Sequence, residues 1–282
     1  MAKSIDPAGY GISKSKTRFM KRYEPFFAPL VGKSIRLLEL GVYRGASLRF
    51  WRDYFENATI VGLDCNPVHV DDSTGMIHVY QGRQQDTALL DRVAQEQAPD
   101  GFDVIIDDCS HIGRYARISF WHLFQNHLKP GGLYVIEDWQ TGYSSGFLDG
   151  RYSNRKPSLK YPLYAHLFDI IGNQYPYIPG VRLVASRLFF RLTSRIPSQT
   201  NGMAGFIKEL PDACFLGKRA IPRSGAGRYF DYGIYEIHIN FYLVFVVKSK
   251  EKDVNKIDEE LTKNGKPTPF IKGLIAEEDS ST

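Results

Sequence analysis

The stretch IRLLELGVYRGAS, residues 35–47, decides the fold. Ile35, Leu37, Leu38 and Leu40 form an apolar run that reads as a buried strand, with Glu39 near its end. Gly41 and Gly45 punctuate the turn that follows, and residues 47–55, opening with Ser47, read as a helix. A strand, a glycine-rich turn and a helix N-terminus in succession let backbone N–H groups approach a ligand closely. The spacing is E-x-G-x-x-x-G. Dinucleotide-binding turns carry G-x-G-x-x-G, so the spacing speaks against an NAD(P) enzyme.

Outward from this turn the pattern alternates. Residues 60–64, 76–80, 104–107 and 133–137 read as further strands, and 87–97 and 115–126 as helices. Strands separated by helical patterns build βαβ units and a parallel sheet. Lys129-Pro130-Gly131-Gly132 reads as a breaker before the 133–137 strand. Upstream, residues 1–33 form a polar and aromatic lead-in, and Tyr23, Phe26, Phe27 and Leu30 recur at helical spacing. Residues 34–139 form the core. Residues 140–225, rich in Tyr, Arg, Pro and Ser, read as a helical and loop insertion capping a substrate site. Residues 226–248 supply two β segments, EIHIN and FYLVFVVK, as a closing antiparallel hairpin, and 249–282 read as a charged, flexible tail.

Four strand ends carry polar groups at the edge where open α/β sheets bind ligands. Asp64 closes VGLD, about 25 residues after Glu39, where a carboxylate reaches the ribose of an adenosine cofactor. The alternative is an Asp that caps its turn. After the third strand, in YQGRQQD, Gln85 and Asp86 are placed to contact an adenine; Asp86 is equally suited to cap the helix from Thr87. In VIIDDCSH, Asp107 and Asp108 end a strand, with His111 three residues on. Consecutive residues point opposite ways, so one carboxylate faces inward and the other the crevice. A second pair, Glu137-Asp138, ends the next strand in YVIEDW. Parallel strands lie about 5 Å apart, so both pairs can converge on one hard divalent cation. His111 has the ordinary pKa of a general base at neutral pH; alone, a helix-capping or surface role would be the commoner reading.

Together LLELGVYRGASL, IVGLDCNP, FDVIIDDCSH and LKPGGLYVIEDW resemble the class I S-adenosylmethionine (SAM)-dependent O-methyltransferases that act on sugars of natural products, over about residues 34–139. The macrolide-sugar enzymes and cephalosporin-hydroxylase-like proteins are the similar groups. The resemblance implies a Rossmann-like class I methyltransferase fold: a mostly parallel seven-stranded sheet with a closing antiparallel hairpin. It implies SAM bound by Glu39, Gly41, Tyr43, Gly45, Ser47, Asp64, Gln85, Asp86 and Asp107. It further implies Mg²⁺ on Asp108, Glu137 and Asp138, with His111 as the base. The lead-in GISKSKTRFMKRYEPFF resembles the family's upstream segment at Lys14, Tyr23 and Phe27. It departs at Ser13, where Asp is usual, and at Arg18, where His is usual.

Composition narrows the partners. The chain has 282 residues, 43% hydrophobic and 13% aromatic, with a net charge of +5. No dense Lys/Arg block with interleaved aromatics points to nucleic acid. Three cysteines, Cys65, Cys109 and Cys214, at unrelated spacings speak against a disulfide framework and fit a reducing cytoplasm. No run of about 18 apolar residues predicts a spanning helix, and MAKSIDPAGY lacks a signal-peptide core. In the insertion, Tyr143, Tyr152, Tyr161, Tyr164, Tyr175 and Tyr177 offer flat faces for a sugar, or ordinary packing. Arg187, Arg191 and Arg195 lie on one side of an amphipathic helix over 181–196, suited to core packing, an oligomer interface or a membrane surface. The sequence thus predicts methylation of a hydroxyl on a small-molecule, glycan or glycolipid acceptor. The alternatives are a non-sugar diol, or a partner protein that binds SAM or a nucleotide without catalysis.

Overall fold

The computed structural model describes residues 6–12, 14–151, 199–219 and 232–250. Helix α1 (Lys14–Phe27) precedes β1 (Arg36–Leu40), α2 (Ala46–Phe55), β2 (Thr59–Asp64) and β3 (Ile77–Gln81). There follow α3 (Thr87–Gln97), β4 (Phe102–Asp107), α4 (Gly113–Asn126) and β5 (Leu128–Glu137). A 3₁₀ turn (Trp139–Tyr143), α5 (Leu148–Arg151), α6 (Gly202–Arg219), β6 (Ile234–Ile239) and β7 (Leu243–Lys248) complete the described elements. The seven strands lie in the order β3-β2-β1-β4-β5-β7-β6. All neighbours are parallel except β7, which runs antiparallel to both β5 and β6. This is the Rossmann-like methyltransferase sheet with its closing hairpin. The chain reverses its winding between β1 and β4, which opens a crevice at their carboxyl ends.

Strand parity assigns the two faces. Leu38, Leu40, Ile105, Tyr134, Ile136 and Val244 pack with Leu90, Val93, Phe120, Phe124, Phe206 and Leu210 of α3, α4 and α6. Leu37, Val104, Ile106, Val135 and Phe245 pack on the other side with Tyr23 and Phe27 of α1 and Trp51, Tyr54 and Phe55 of α2. Near-continuous apolar strands are what burial on both faces requires. The expected lead-in helix is therefore part of the core: Tyr23 and Phe27 are buried, and Phe26 stacks on Phe245 at 4.3 Å. Helix α6, inside the stretch read as an insertion, also packs its Met203, Phe206, Ile207 and Leu210 into the core.

The breaker Lys129-Pro130-Gly131-Gly132 lies within β5 as an irregular stretch. Phe102 pairs with Leu128 and Val104 with Leu133, so the register slips there. Pro130 has no N–H to donate to a ladder, so β5 bulges and continues. Ser13, the side chains of Lys14 and Arg18, Tyr152, Tyr161, Tyr164, Tyr175, Tyr177, the 181–196 helix and the tail beyond residue 250 lie outside the described residues. Among the described residues no helix is long and apolar enough to cross a membrane.

Gly41 is the tightest point of the fold. Its φ is +85°, and a Cβ there would lie 2.3 Å from the Asp108 carbonyl oxygen and 2.6 Å from Cys109 Cα. Its N–H donates to the Leu63 carbonyl at 2.7 Å, while Asp108 N–H donates to Leu40 at 2.9 Å. Gly41→Ala is expected to lower unfolding stability by about 2 kcal/mol or more, from the left-handed backbone and the collision together. Urea denaturation of the two proteins measures it; equal midpoints would contradict the contact.

Candidate active site

The crevice is walled by the glycine loop on one side and the β4 and β5 ends on the other. Asp64 ends β2 and reaches the loop. Its Oδ2 accepts the Val42 N–H at 3.1 Å and the Tyr43 N–H at 2.9 Å, and its Oδ1 accepts from Asn66 N–H at 2.9 Å. The second strand end thus holds the first loop in shape. Tyr43 is 76% exposed at φ +51°, a left-handed conformation uncommon for an aromatic residue. Gly45 starts α2 at φ +73° and Ser47 is buried in its first turn. Glu39 lies fully buried in β1, opposite Gly62 and Ile106.

The Asp107-Asp108 pair divides as strand alternation requires. Asp107 is buried, and it accepts from Gln84 Nε2 (3.1 Å to each oxygen), Ser119 Oγ (3.2 Å) and the Cys109 N–H (3.4 Å). Burial pushes its carboxyl up to about 6, although the His111 charge, the Cys109 N–H and the Ser119 hydroxyl act in the opposite sense. The sequence expectation gave Asp107 to the cofactor; the structure gives it these partners within the protein. Asp108 faces the crevice, its Oδ1 3.9 Å from His111 Nε2.

His111 and Asp138 complete a group. Single ligand atoms of Asp108, His111 and Asp138 lie within 4.8 Å of one another. His111 Nδ1 is buried and makes no hydrogen bond among the described residues. Both His111 (φ +53°) and Asp138 (φ +54°) adopt left-handed backbone. Such conformations persist where the surroundings over-determine them. The Asp138 carbonyl accepts Thr141 Oγ1 at 2.7 Å and Thr141 N–H at 3.0 Å, and Gln140 Nε2 bonds its Oδ1 at 3.1 Å.

Glu137, expected as a ligand, stands outside this group. It is fully buried, and its Oε1 accepts the Tyr23 hydroxyl of α1 at 2.7 Å. Burial raises the Tyr23 phenol well above its usual range, reinforced by Glu137, Asp108 and Glu39, so it stays a neutral donor. The lead-in helix therefore contributes a group to the site wall through Tyr23. Of the third strand end, Asp86 caps α3, its Oδ1 accepting Leu89 N–H at 3.2 Å, and Gln85 is half-buried beside it. Tyr143 packs edge-on to Trp139 with Lys208 Nζ 5.6 Å from its ring.

Three contributors escaped the sequence reading. Gln84 is buried; while its Nε2 serves Asp107, its Oε1 accepts the Ser110 N–H at 3.1 Å and the Ser110 hydroxyl at 2.5 Å. It ties β3 to the loop that carries His111. Asp149 Oδ2 accepts the Gly113 and Met203 N–H groups, each at 2.7 Å, and so joins the first turns of α4 and α6. Phe147, 43% exposed, lies edge-on to His111 with ring centroids 6.1 Å apart. Nothing local marks Gln84 over Gln85; only the turn geometry selects it. Asp149 and Phe147 lie too far along the chain for spacing to connect them to His111. Cys109 is an inert thiol, pushed well up by burial and then by Asp107.

Fold and site together place a glycine loop at the switch point of a Rossmann-like sheet and a carboxylate–histidine group beside it. No protein-family profile matches the chain. It is similar to mycinamicin VI 2''-O-methyltransferase of Micromonospora griseorubida, 42% identical over 137 residues, 46% of this chain and 33% of that protein. It is similar also to 8-demethyl-8-(2-methoxy-alpha-L-rhamnosyl)-tetracenomycin-C 3'-O-methyltransferase of Streptomyces olivaceus, 42% identical over 136 residues, 46% of this chain and 34% of that protein. Among solved structures it is similar to the MycE methyltransferase of the mycinamycin pathway in complex with Mg and SAH. That likeness has TM-score 0.60 and 26% identity over 92% of this chain and 61% of that one. The matched segment spans about a third of the length of these curated relatives.

Gln84→Leu removes both ends of the Asp107–Ser110 link and leaves a buried carboxylate short of a donor. A stability loss of about 2–4 kcal/mol is expected. Chemical denaturation measures it, and an unchanged midpoint would remove Gln84 from the support of the His111 loop.

Proposed function

We propose that this chain is a SAM- and Mg²⁺-dependent O-methyltransferase acting on a hydroxyl of a sugar in a glycosylated natural product. One observation carries the reading: Asp108, His111 and Asp138 converge at the ends of β4 and β5, against the Gly41 loop. The likeness to a methyltransferase solved with Mg and SAH supports both groups for the same crevice.

The donor set fits a divalent cation. One ligand atom from each of two carboxylates and an imidazole lie within 4.8 Å of one another, and a hard ion favours the oxygens. Asp108 and Asp138 would hold it, with Glu137, steadied by Tyr23, as the third carboxylate. The cation supplies Lewis acidity toward an alcohol whose own pKa lies far above neutral. The glycine loop fits the methyl donor: Gly41 permits backbone approach, and Asp64 keeps the loop amides in place. SAM supplies an electrophilic methyl on a sulfonium.

The chain's own residues do the rest. His111 takes the acceptor proton on its imidazole as the oxygen attacks, and its left-handed backbone aims the ring at the crevice. Phe147 gives the acceptor an apolar wall beside that ring. Gln84 and Asp149 fix the two ends of the loop that carries His111, which keeps base and acceptor in register.

His111→Ala is expected to bind SAM with nearly unchanged affinity by calorimetry while losing about 10²–10⁴-fold in turnover. Wild-type turnover by that variant would exclude His111 as the base. Methyl transfer from radiolabelled SAM to a panel of rhamnosyl and other glycosides is expected to stop in EDTA and return with excess Mg²⁺. Activity that persists in EDTA would take the cation out of the reaction, and transfer to catechols but not glycosides would replace the sugar.

A further inference from the structure

A second group of ligand-type side chains sits away from the crevice, between α3 and α4. Asp91 is on α3, His122 on α4, and His127 is the residue that ends α4. Asp91 Oδ1 lies 2.7 Å from His122 Nε2 and 2.6 Å from His127 Nε2. The two rings stand 5.4 Å apart, and the three ligand atoms fall within 4.8 Å of one another. The histidine side chains are 18% and 17% exposed and the Asp91 side chain 45% exposed. Two imidazoles are thus held in place by packing, and the carboxylate they share is open to water.

The chemistry of this trio differs from that of the crevice. One carboxylate oxygen accepting two imidazole N–H groups requires both rings to carry the proton on Nε2. A single divalent ion can take the place of the two shared hydrogen bonds, with each ring moving its proton to Nδ1, because the three ligand atoms already lie within 4.8 Å of one another. Tetrahedral coordination at about 2.0 Å sets ligand atoms roughly 3.3 Å apart. The two N···O spacings, 2.7 and 2.6 Å, need to open by about 0.6–0.7 Å, a small adjustment for a half-exposed carboxylate. Two nitrogens and one oxygen suit a borderline ion, whereas Mg²⁺ prefers oxygen-rich sites.

We propose that Asp91, His122 and His127 form a divalent-metal site for Zn²⁺ or a similar borderline ion, separate from the crevice, with water completing the coordination. The ion would join α3 to α4. Binding there adds stability to the folded chain by mass action.

The test uses the full chain, stripped with chelator and then kept in excess Mg²⁺. Zn²⁺ is titrated by calorimetry and Co²⁺ by its visible absorption, alongside thermal unfolding. One tight equivalent is expected in the wild type and in Asp138→Asn, with tetrahedral Co²⁺ bands and a raised Tm. The His122→Gln/His127→Gln protein is expected to lose that equivalent, with affinity weakened by about 100-fold or more. Equal Zn²⁺ stoichiometry and equal Tm shifts in wild type and the double variant would overturn the proposal. So would the absence of any tight equivalent, which would leave the trio a hydrogen-bonded link between helices. None of these readouts involves methyl transfer, so failure here leaves the proposed reaction standing, and the reverse.

Discussion

The rest of the site depends on one contact: the backbone of Gly41 against the backbone of Asp108. A Cβ at Gly41 would lie 2.3 Å from the Asp108 carbonyl oxygen, so only glycine allows the two loops to meet. The hydrogen bond from Asp108 N–H to Leu40 carries the β1–β4 ladder one step past the strand ends. This contact seats the glycine loop against the loop bearing His111. A side chain at position 41 would push the two apart and open the crevice between them.

Around this contact the protein concentrates backbone strain. Four described non-glycine residues have positive φ: Tyr43, Glu56, His111 and Asp138. All but Glu56 line the crevice. Such conformations cost about 1–3 kcal/mol each and need compensation from neighbours. The neighbours are visible: Asp64 on the Tyr43 amide, Gln84 on the Ser110 amide and hydroxyl, and Thr141 on the Asp138 carbonyl. The buried Asp107, held protonated-prone by desolvation, anchors this set through Gln84 and Ser119.

Much of this was legible in the chain. The alternation of apolar runs and helical periods foretold a mostly parallel sheet and its closing hairpin, while the order of the strands came only with the structure. The α3 helix was placed at its observed bounds, because Asp86 caps it and Gly82 and Pro99 punctuate its flanks. Asp108, His111 and Asp138 were singled out because acidic strand ends are rare without a partner. The partners of the two inward members became visible only once the side chains had neighbours. Asp107 turned out to face the α4 layer and serve the protein's own donors. Glu137 proved to be bonded to Tyr23, a residue more than a hundred positions away in sequence. Strand alternation predicts that one member of each acidic pair turns inward; it does not say what the inward member meets.

The sequence by itself determined the class of fold, the carboxyl edge at which polar groups gather, and the residue types gathered there. Those follow from local rules: periodicity, glycine spacing, and the cost of charge at a strand end. Only the tertiary structure decided which polar groups support and which face the crevice. Gln84 rather than Gln85 meets Asp107, Tyr23 reaches Glu137, Asp149 joins two helix starts, and Asp91 brings His122 and His127 together. These pairings join segments far apart along the chain. Hydrogen-bond directions and strand parity, which exist only once the sheet has closed and its layers have packed, select them.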